Sequence, residues 1–517
     1  MYEPLSDSLK KITHGAGIAV VGIFLGLLLG FIARLIIARY ALEANYGIFS
    51  LALVVLNFSM ILASLGLHLG ATRYIAYFRG REEAARVRGT ISASLQLATA
   101  ASIIIGIAIF FSAEAIALNI FHASDLALPL RIFAIGIPFF TLINILAAIF
   151  LGFDNVEPQT YFQSILLNIL FLLSLLAVIL LDLPIIAVFY TYLAALVLTF
   201  IALALYTVRK LPQLIMLTAS EVDVSVRKEL LIFSLPLLGT AMFTMILFSM
   251  DTLMLGYFKV PEVVGLYNAA YPLAQFISQP LAAMLLIYTP VATGLYSQNL
   301  MAELRRNYTI LTKWVVSLTL PIFLVLCLFP EAVLNLLFGS AYIAAAPALR
   351  ILSLGSIIHN LFGHSASTLL AWGKSRFIMW SVLAGAIINV ALNIVLIPPL
   401  SIVGAAIASA VSLILVDIIL TIKVYSLCRA QPLSKNLLKP VIASIILAFL
   451  FRFTIGSFVN VTLWMLPLLF ILYYAIYGIA VVLTRSFDHE DVALLLEIEK
   501  RSGINAEPIK RILRRFV

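Results

Sequence analysis

Apolar runs of about 20 residues, each long enough to cross a hydrocarbon core of ~30 Å as a helix, recur along almost the whole chain. They predict spans at about 12–38, 44–69, 90–112, 129–152, 161–181, 185–208, 229–257, 264–296, 308–329, 346–371, 377–398, 402–423, 440–458 and 461–484. Backbone exposed to lipid must satisfy its hydrogen bonds within the segment, so runs of this length are expected to be helices. The expected fold is therefore all-α and integral to a membrane, with 14 transmembrane helices. Composition agrees: 63% of the 517 residues are hydrophobic and 11% charged, too little polar surface for a water-soluble globule of this size. The polar start, MYEPLSDSLKKITHG, has no small-residue cleavage site ahead of a full-length span, so no cleavable signal is expected. Cys327 within a span and Cys428 in a polar loop predict neither a disulfide nor a metal site.

Charge sets the expected topology. With a cytoplasmic N-terminus, the inner segments hold all of the 33 Lys and Arg except Arg34, Arg39, Arg131, Lys259, Arg350 and Arg452, as the positive-inside bias requires. Both termini are then cytoplasmic. The net charge of +9 follows from this placement and from contact with anionic lipid, and no nucleic-acid partner is expected. After Thr484 the tail predicts a short helix and then a basic amphipathic one, IKRILRRFV, lying on the inner leaflet.

The chain also repeats. Tyr46-Gly47-Ile48-Phe49 matches Val264-Gly265-Leu266-Tyr267 at an offset of 218, and Leu130 to Gly136 matches Leu349 to Gly355 at an offset of 219. Leu118 to Phe121 resembles Leu334 to Phe338. Spans 1–6 and 7–12 therefore read as two six-helix lobes related by a pseudo-two-fold axis along the membrane normal, because six is even and both copies enter from the same side. The expected division is 1–208 for the first lobe, 209–228 for a cytoplasmic linker, 229–423 for the second lobe, 424–484 for two accessory spans and 485–517 for a cytoplasmic tail. Two repeats with binding at a midplane cleft form a transporter's architecture.

Charges inside spans mark candidate sites. An Arg near the centre of a membrane helix costs about 2.5–3.5 kcal/mol on insertion scales, so it faces protein or water unless it can snorkel. Arg34 and Arg39 follow the apolar, glycine-spaced start of span 1 (Gly22, Gly26, Gly30), and either line a polar cavity or snorkel outward. Arg73 is either a third cation of that cavity or an ordinary flanking charge. Arg131 and Arg350 occupy matched positions where capping or snorkelling is as reasonable as cavity lining. Asp251 falls opposite Ala33 under the repeat offset, at nearly the depth of Arg34, which suggests an Arg34–Asp251 latch across the cleft. Asp417 is a second candidate coupling acid, unless it pairs with Lys423 or a water. In span 8, Gln275 and Gln279 are candidate sugar contacts, and Pro272 and Pro280 candidate gate hinges, since proline kinks a helix and frees carbonyls. In span 10, His359, Asn360 and His364 either bind sugar, titrate, or are satisfied by a neighbouring helix.

The fourteen-span plan, Ala38-Arg39-Tyr40 to Glu43-Ala44-Asn45-Tyr46-Gly47, the stretch from Asp251 to Tyr267, and Leu337-Phe338-Gly339 followed by Leu349 resemble the polysaccharide-transporter branch of the multidrug/oligosaccharidyl-lipid/polysaccharide exporter superfamily. The resemblance covers the chain to about residue 484 and implies a flippase that moves a lipid-linked oligosaccharide from the inner to the outer leaflet of a plasma membrane by alternating access. The implied partners are a polyprenyl phosphate or diphosphate sugar and membrane lipids. It also implies a cationic cavity for the phosphate and drive from an H+ or Na+ gradient or the membrane potential, with no bound cofactor. Arg suits phosphate because its planar fork donates two hydrogen bonds at once. A lipid II type flippase or a multidrug/cation antiporter shares the architecture, but span 1 has no acid before Glu43, where drug-extruding members often carry one. No P-loop is present, so no use of ATP is expected. An integral membrane glycan enzyme would need paired carboxylates, a metal site or a sizeable polar loop, and the longest polar insert is about 20 residues. The expectation is a transporter and not an enzyme.

Overall fold

The computed structural model describes residues 3–211, 224–433, 435–458 and 465–484; the expected basic tail and most of the expected linker lie outside them. Among these residues the chain is helical throughout, with no strand. The helices are α1 (Glu3–Ser64), α2 (Leu67–Gly80), α3 (Ala84–Ala115), α4 (Ala127–Gly152), α5 (Leu167–Leu180), α6 (Ile186–Lys210), α7 (Val224–Phe258), α8 (Pro261–Phe276), α9 (Gln279–Ser297), α10 (Met301–Leu328), α11 (Pro330–Leu337), α12 (Ala346–Phe362), α13 (His364–Ala371), α14 (Ser375–Leu400), α15 (Ile402–Cys428), α16 (Leu438–Phe458) and α17 (Met465–Leu483). A π-helical segment, Gln159–Leu166, leads into α5.

Ten of the described helical stretches are long and apolar enough to cross a membrane, or eleven if the bent pair within Gln279–Ser297 counts as one. The protein is therefore a multi-pass membrane protein. The difference from fourteen has local causes. Expected spans 1 and 2 abut without a loop and so form one continuous stretch, but Leu42 (φ 60°, ψ 177°) puts a kink between two helices within α1, at the expected boundary. Expected spans 13 and 14 appear as shorter apolar helices, Leu438–Leu450 and Leu468–Val481.

The chain divides into two compact units, Met1–Gly265 and Leu266–Val517. The division lies beyond the expected linker because α7 packs with the first unit, against α1, α2 and α3. Small residues let it approach: a Cβ on Gly66 would meet the backbone of Leu238 at 2.9 Å, and one on Gly256 would meet the Phe121 ring at the same distance. On the other side of α1, Gly22, Gly26 and Gly30 face Thr160, Ser164 and Asn168 of the π-helical segment and α5. Without a hydrophobic drive between helices in lipid, such close backbone approach is what holds a membrane bundle together. At the end of the first unit the two repeat glycines meet. A Cβ on Gly47 would come within 3.0 Å of the Gly265 nitrogen, and one on Gly265 within 2.9 Å of the Glu43 carbonyl carbon.

In the second unit α12 packs on α10 and α15, and α14 on α15. The accessory helices dock on α10: the Tyr474 and Tyr477 hydroxyls donate to the carbonyls of Leu318 and Ser317 at 2.7 and 3.0 Å. Leu320 and Leu324 of α10 share a buried cluster with Ala448 and Tyr473. Cys428, expected in a loop, ends α15 and is buried, while Cys327 is half-buried; both are free thiols.

Candidate functional site

Arg34 is half-buried on α1, and its charge acts on the hydroxyls of Tyr46 and Tyr192. Tyr192 belongs to an aromatic cluster that fills the first unit. Phe49 of α1 lies 6.2 Å from Phe133 of α4 and from Phe171 of α5, and 5.8 Å from Phe189 of α6. The Tyr192 ring meets Phe171 edge-on at 4.9 Å. Arg34 thus sets a fixed positive charge within electrostatic reach of Tyr46 and of the Tyr192 end of that cluster. Arg39, five residues on, is exposed. Arg73 is exposed on α2 with its guanidinium 4.1 Å from the Phe233 ring of α7, a cation–π contact that fixes its direction.

Asp251 is buried on α7, at 1% exposure. Because α7 packs with the first unit, Arg34 and Asp251 belong to the same unit. Arg131 and Arg350 turn out to be matched structural ties. Arg131 pairs with Glu114 at 2.9 Å and Arg350 with Glu331 at 2.7 Å, each half of the repeat closing its arginine onto a nearby acid.

The second unit carries the remaining candidates. Span 8 is broken, as its prolines predict: α8 ends at Phe276, Ile277 and Ser278 form a turn, and α9 starts at Gln279 with Pro280 in its first turn. Pro272 is buried within α8. Gln275 is exposed and Gln279 half-buried beside the break. Asn360 of α12 is fully buried, and its amide donates to the Ile277 carbonyl at 2.7 Å, so it ties α12 to that break. Next to it, His359 Nδ1 lies 2.7 Å from Asp417 Oδ2 of α15. That pair is the partner of Asp417; Lys423, the sequence-based alternative, lies instead over the Phe377 ring at 5.5 Å.

The residues around this pair were not singled out by the sequence, apart from His364. His364, at the start of α13, is fully buried with Nε2 2.9 Å from the Thr312 hydroxyl. The Tyr308 and Ser365 hydroxyls lie 2.7 Å apart, Ser365 and Thr421 2.8 Å apart, and Tyr288 and Thr368 2.8 Å apart. Hydroxyls are common in apolar helices because they can bond the preceding turn, so nothing in the sequence marks these as partners. Among the described residues no group of His, Cys, Asp and Glu is arranged to hold a metal ion.

Solved structures of two membrane proteins share this helical fold. The solved structure of the lipid II flippase MurJ in an inward closed conformation superposes with a TM-score of 0.71 at 15% identity, over 92% of this chain and 99% of that one. An inward-facing multidrug resistance transporter of the MATE family gives 0.67 at 16% identity, over 78% and 95%. At such identities the likeness is one of fold. The family model described as "Polysaccharide biosynthesis protein" matches residues 12–295, and the chain belongs to that family. Among curated relatives, the teichuronic acid biosynthesis protein TuaB of Bacillus subtilis is 28% identical over 129 residues, 25% of this chain and 26% of that protein. The probable low-salt glycan biosynthesis flippase Agl15 of Haloferax volcanii is 25% identical over 166 residues, 32% and 34%. The matched stretches thus span between a quarter and about a third of these relatives' length.

Proposed function

We propose that this protein is a flippase that carries a lipid-linked oligosaccharide or polysaccharide precursor from the inner to the outer leaflet of a plasma membrane by alternating access. The observation that carries the reading is Arg34: a half-buried arginine on a membrane helix, whose charge is felt at Tyr46 and Tyr192, in a chain of the polysaccharide biosynthesis family. The substrate has an anionic phosphate linkage, a polar glycan and an apolar tail. A fixed guanidinium suits the first, hydroxyls and amides the second, and a lateral opening to lipid the third.

In this reading Arg34 grips the phosphate, with Arg39 and Arg73 guiding it, while Gln275 and Gln279 beside the break in span 8 contact sugar. Pro272 and Pro280 make that break a hinge, and Asp251 and Asp417 are the acids through which ions act. Moving one charge through 100 mV is worth about 2.3 kcal/mol, so an inside-negative potential favours outward passage of the anion without ATP. The reading includes fourteen crossings, cytoplasmic termini and no enzymatic step. The MATE-like fold is compatible with a cation antiporter, but a fixed cation on the first helix disfavours a cationic cargo.

The test is genetic and chemical. A deletion strain is expected to accumulate one lipid-linked glycan precursor on the cytoplasmic side, cleared by the wild-type gene and not by Arg34→Gln. Clearance by the variant at wild-type rate would remove Arg34 from the account, and the absence of any accumulating precursor would remove the flippase.

A further inference from the structure

The second unit holds a buried polar network with no part in gripping a phosphate. Its centre is the contact between His359 and Asp417, 58 positions apart in sequence and 2.7 Å apart in space, with the carboxylate side chain only 4% exposed. Both groups lie within stretches long and apolar enough to cross a membrane. An ionisable pair at such a place is expensive to bury and is a functional candidate by default.

We propose that His359 and Asp417 form a proton-binding site, and that Asn360 transmits its occupancy to the break between α8 and α9. Holding one proton between them, the two side chains are net neutral, as carboxylate with imidazolium or as carboxylic acid with imidazole. Loss of that proton leaves an uncompensated carboxylate in an apolar interior, which is strongly disfavoured unless water enters or the helices part. The pair therefore has a closed, once-protonated state and a looser, deprotonated one.

The connection to the hinge is direct. Asn360 follows His359 on α12, and successive helical residues point about 100° apart, so one side chain reaches α15 and the other the Ile277 carbonyl at the break. The helix itself is interrupted one turn later at Gly363, whose N–H donates to the His359 carbonyl at 2.6 Å. A Cβ at Gly363 would press on the His359 ring at 2.8 Å and on Leu281 of α9 at 2.9 Å. Gly363 thus lies between the His359 ring and Leu281 of α9, while Asn360 holds the break just before α9 by its hydrogen bond.

The elements packed against α12 bring few competing charges. Glu331 of α11 is held by Arg350, and Lys423 of α15 lies over Phe377. Lys313 of α10 is buried and engaged with other groups. Tyr308 of α10 is spent on Ser365, while the imidazole of His364 on α13 lies tilted against the Tyr308 ring, 4.0 Å between centroids. Among the described residues His364 Nδ1 and Asn360 Oδ1 are buried polar atoms near the pair without a hydrogen-bond partner, and full burial keeps His364 from taking up a second proton. Sodium is the poorer occupant, since hard cations take oxygen ligands and an imidazole offers none.

The proposal borrows only its purpose, ion coupling, from the flippase reading, and its test needs no substrate. Full-length protein in lipid nanodiscs is compared by hydrogen–deuterium exchange at about pH 6 and about pH 8, the range in which histidine switches, after correction for intrinsic exchange. The segment 272–285 is expected to exchange about tenfold faster at the higher pH, a coupling of ordinary allosteric size. Asp417→Asn and His359→Gln should each remove that pH difference. Asn360→Ala should remove it at 272–285 while leaving the pH response of the Asp417 carboxyl infrared band in place. A difference that survives Asp417→Asn and His359→Gln, one that is absent from the wild type, or one that follows sodium at constant pH would overturn the proposal. The flippase reading stands or falls separately, on movement of lipid.

Discussion

The two halves of the chain use one template for two kinds of interior. Arg131 closes on Glu114 in the first and Arg350 on Glu331 in the second. Gly136 of α4 faces Leu196 of α6, and its repeat partner Gly355 of α12 faces Ala410 of α15. Between these matched supports the contents differ. The first unit is filled by the rings of Phe49, Phe133, Phe171, Phe189 and Tyr192 around a fixed cation, Arg34. The second holds His359, Asp417 and His364 among hydroxyls. What the two units share is how these helices touch; what differs is that the first carries the fixed charge of Arg34 and the second the titratable His359–Asp417 pair. An arginine stays charged at any physiological pH, whereas an imidazole–carboxylate pair does not.

The comparison can be broken most forcefully at its packed rings. Phe49→Ala should destabilise the protein by about 3–5 kcal/mol, the usual cost of emptying an aromatic site, measured as loss of folded protein in thermal melts. Arg34→Gln should leave the melt unchanged and lower lipid transport about 10- to 100-fold, the worth of charge-assisted hydrogen bonds of about 1.5–3 kcal/mol; Arg34→Lys should recover only part of it. Gly47→Leu and Gly265→Leu should each cost about 1–3 kcal/mol through overpacking, since backbone stands where a side chain would go, while Gly80→Leu, with nothing within 4 Å, should be silent in the same melt. Arg131→Ala and Arg350→Ala are expected to cost at most about 1 kcal/mol each, alike in size, because both pairs are partly exposed. Unequal costs would separate the two supports that the repeat makes equivalent.

Helices and their order were legible because apolar length is a direct statement about lipid. The break in span 8 was legible too, as Pro280 has no N–H to continue α8. So was the boundary between spans 1 and 2: the polar stretch from Arg39 to Asn45 holds the kink, where Leu42 takes φ 60°. Arg34 was visible as a charge in oil, but its neighbours Tyr46 and Tyr192 read as ordinary aromatics. His359 and Asp417 were each noticed, one as a sugar contact and one as a coupling acid, and only folding brings them together. The π-helical segment from Gln159 to Leu166 left no periodic signal, although its partners, Gly22, Gly26 and Gly30, announced a close approach by their four-residue spacing.

The most direct measurement is transport by the purified protein in liposomes, with a labelled polyprenyl-diphosphate oligosaccharide and a cationic dye offered side by side. The account predicts that the wild type moves the anionic lipid between leaflets and leaves the dye in place, and that Arg34→Gln slows the lipid by about 10- to 100-fold. Extrusion of the dye, with the lipid stationary or indifferent to Arg34, would contradict it.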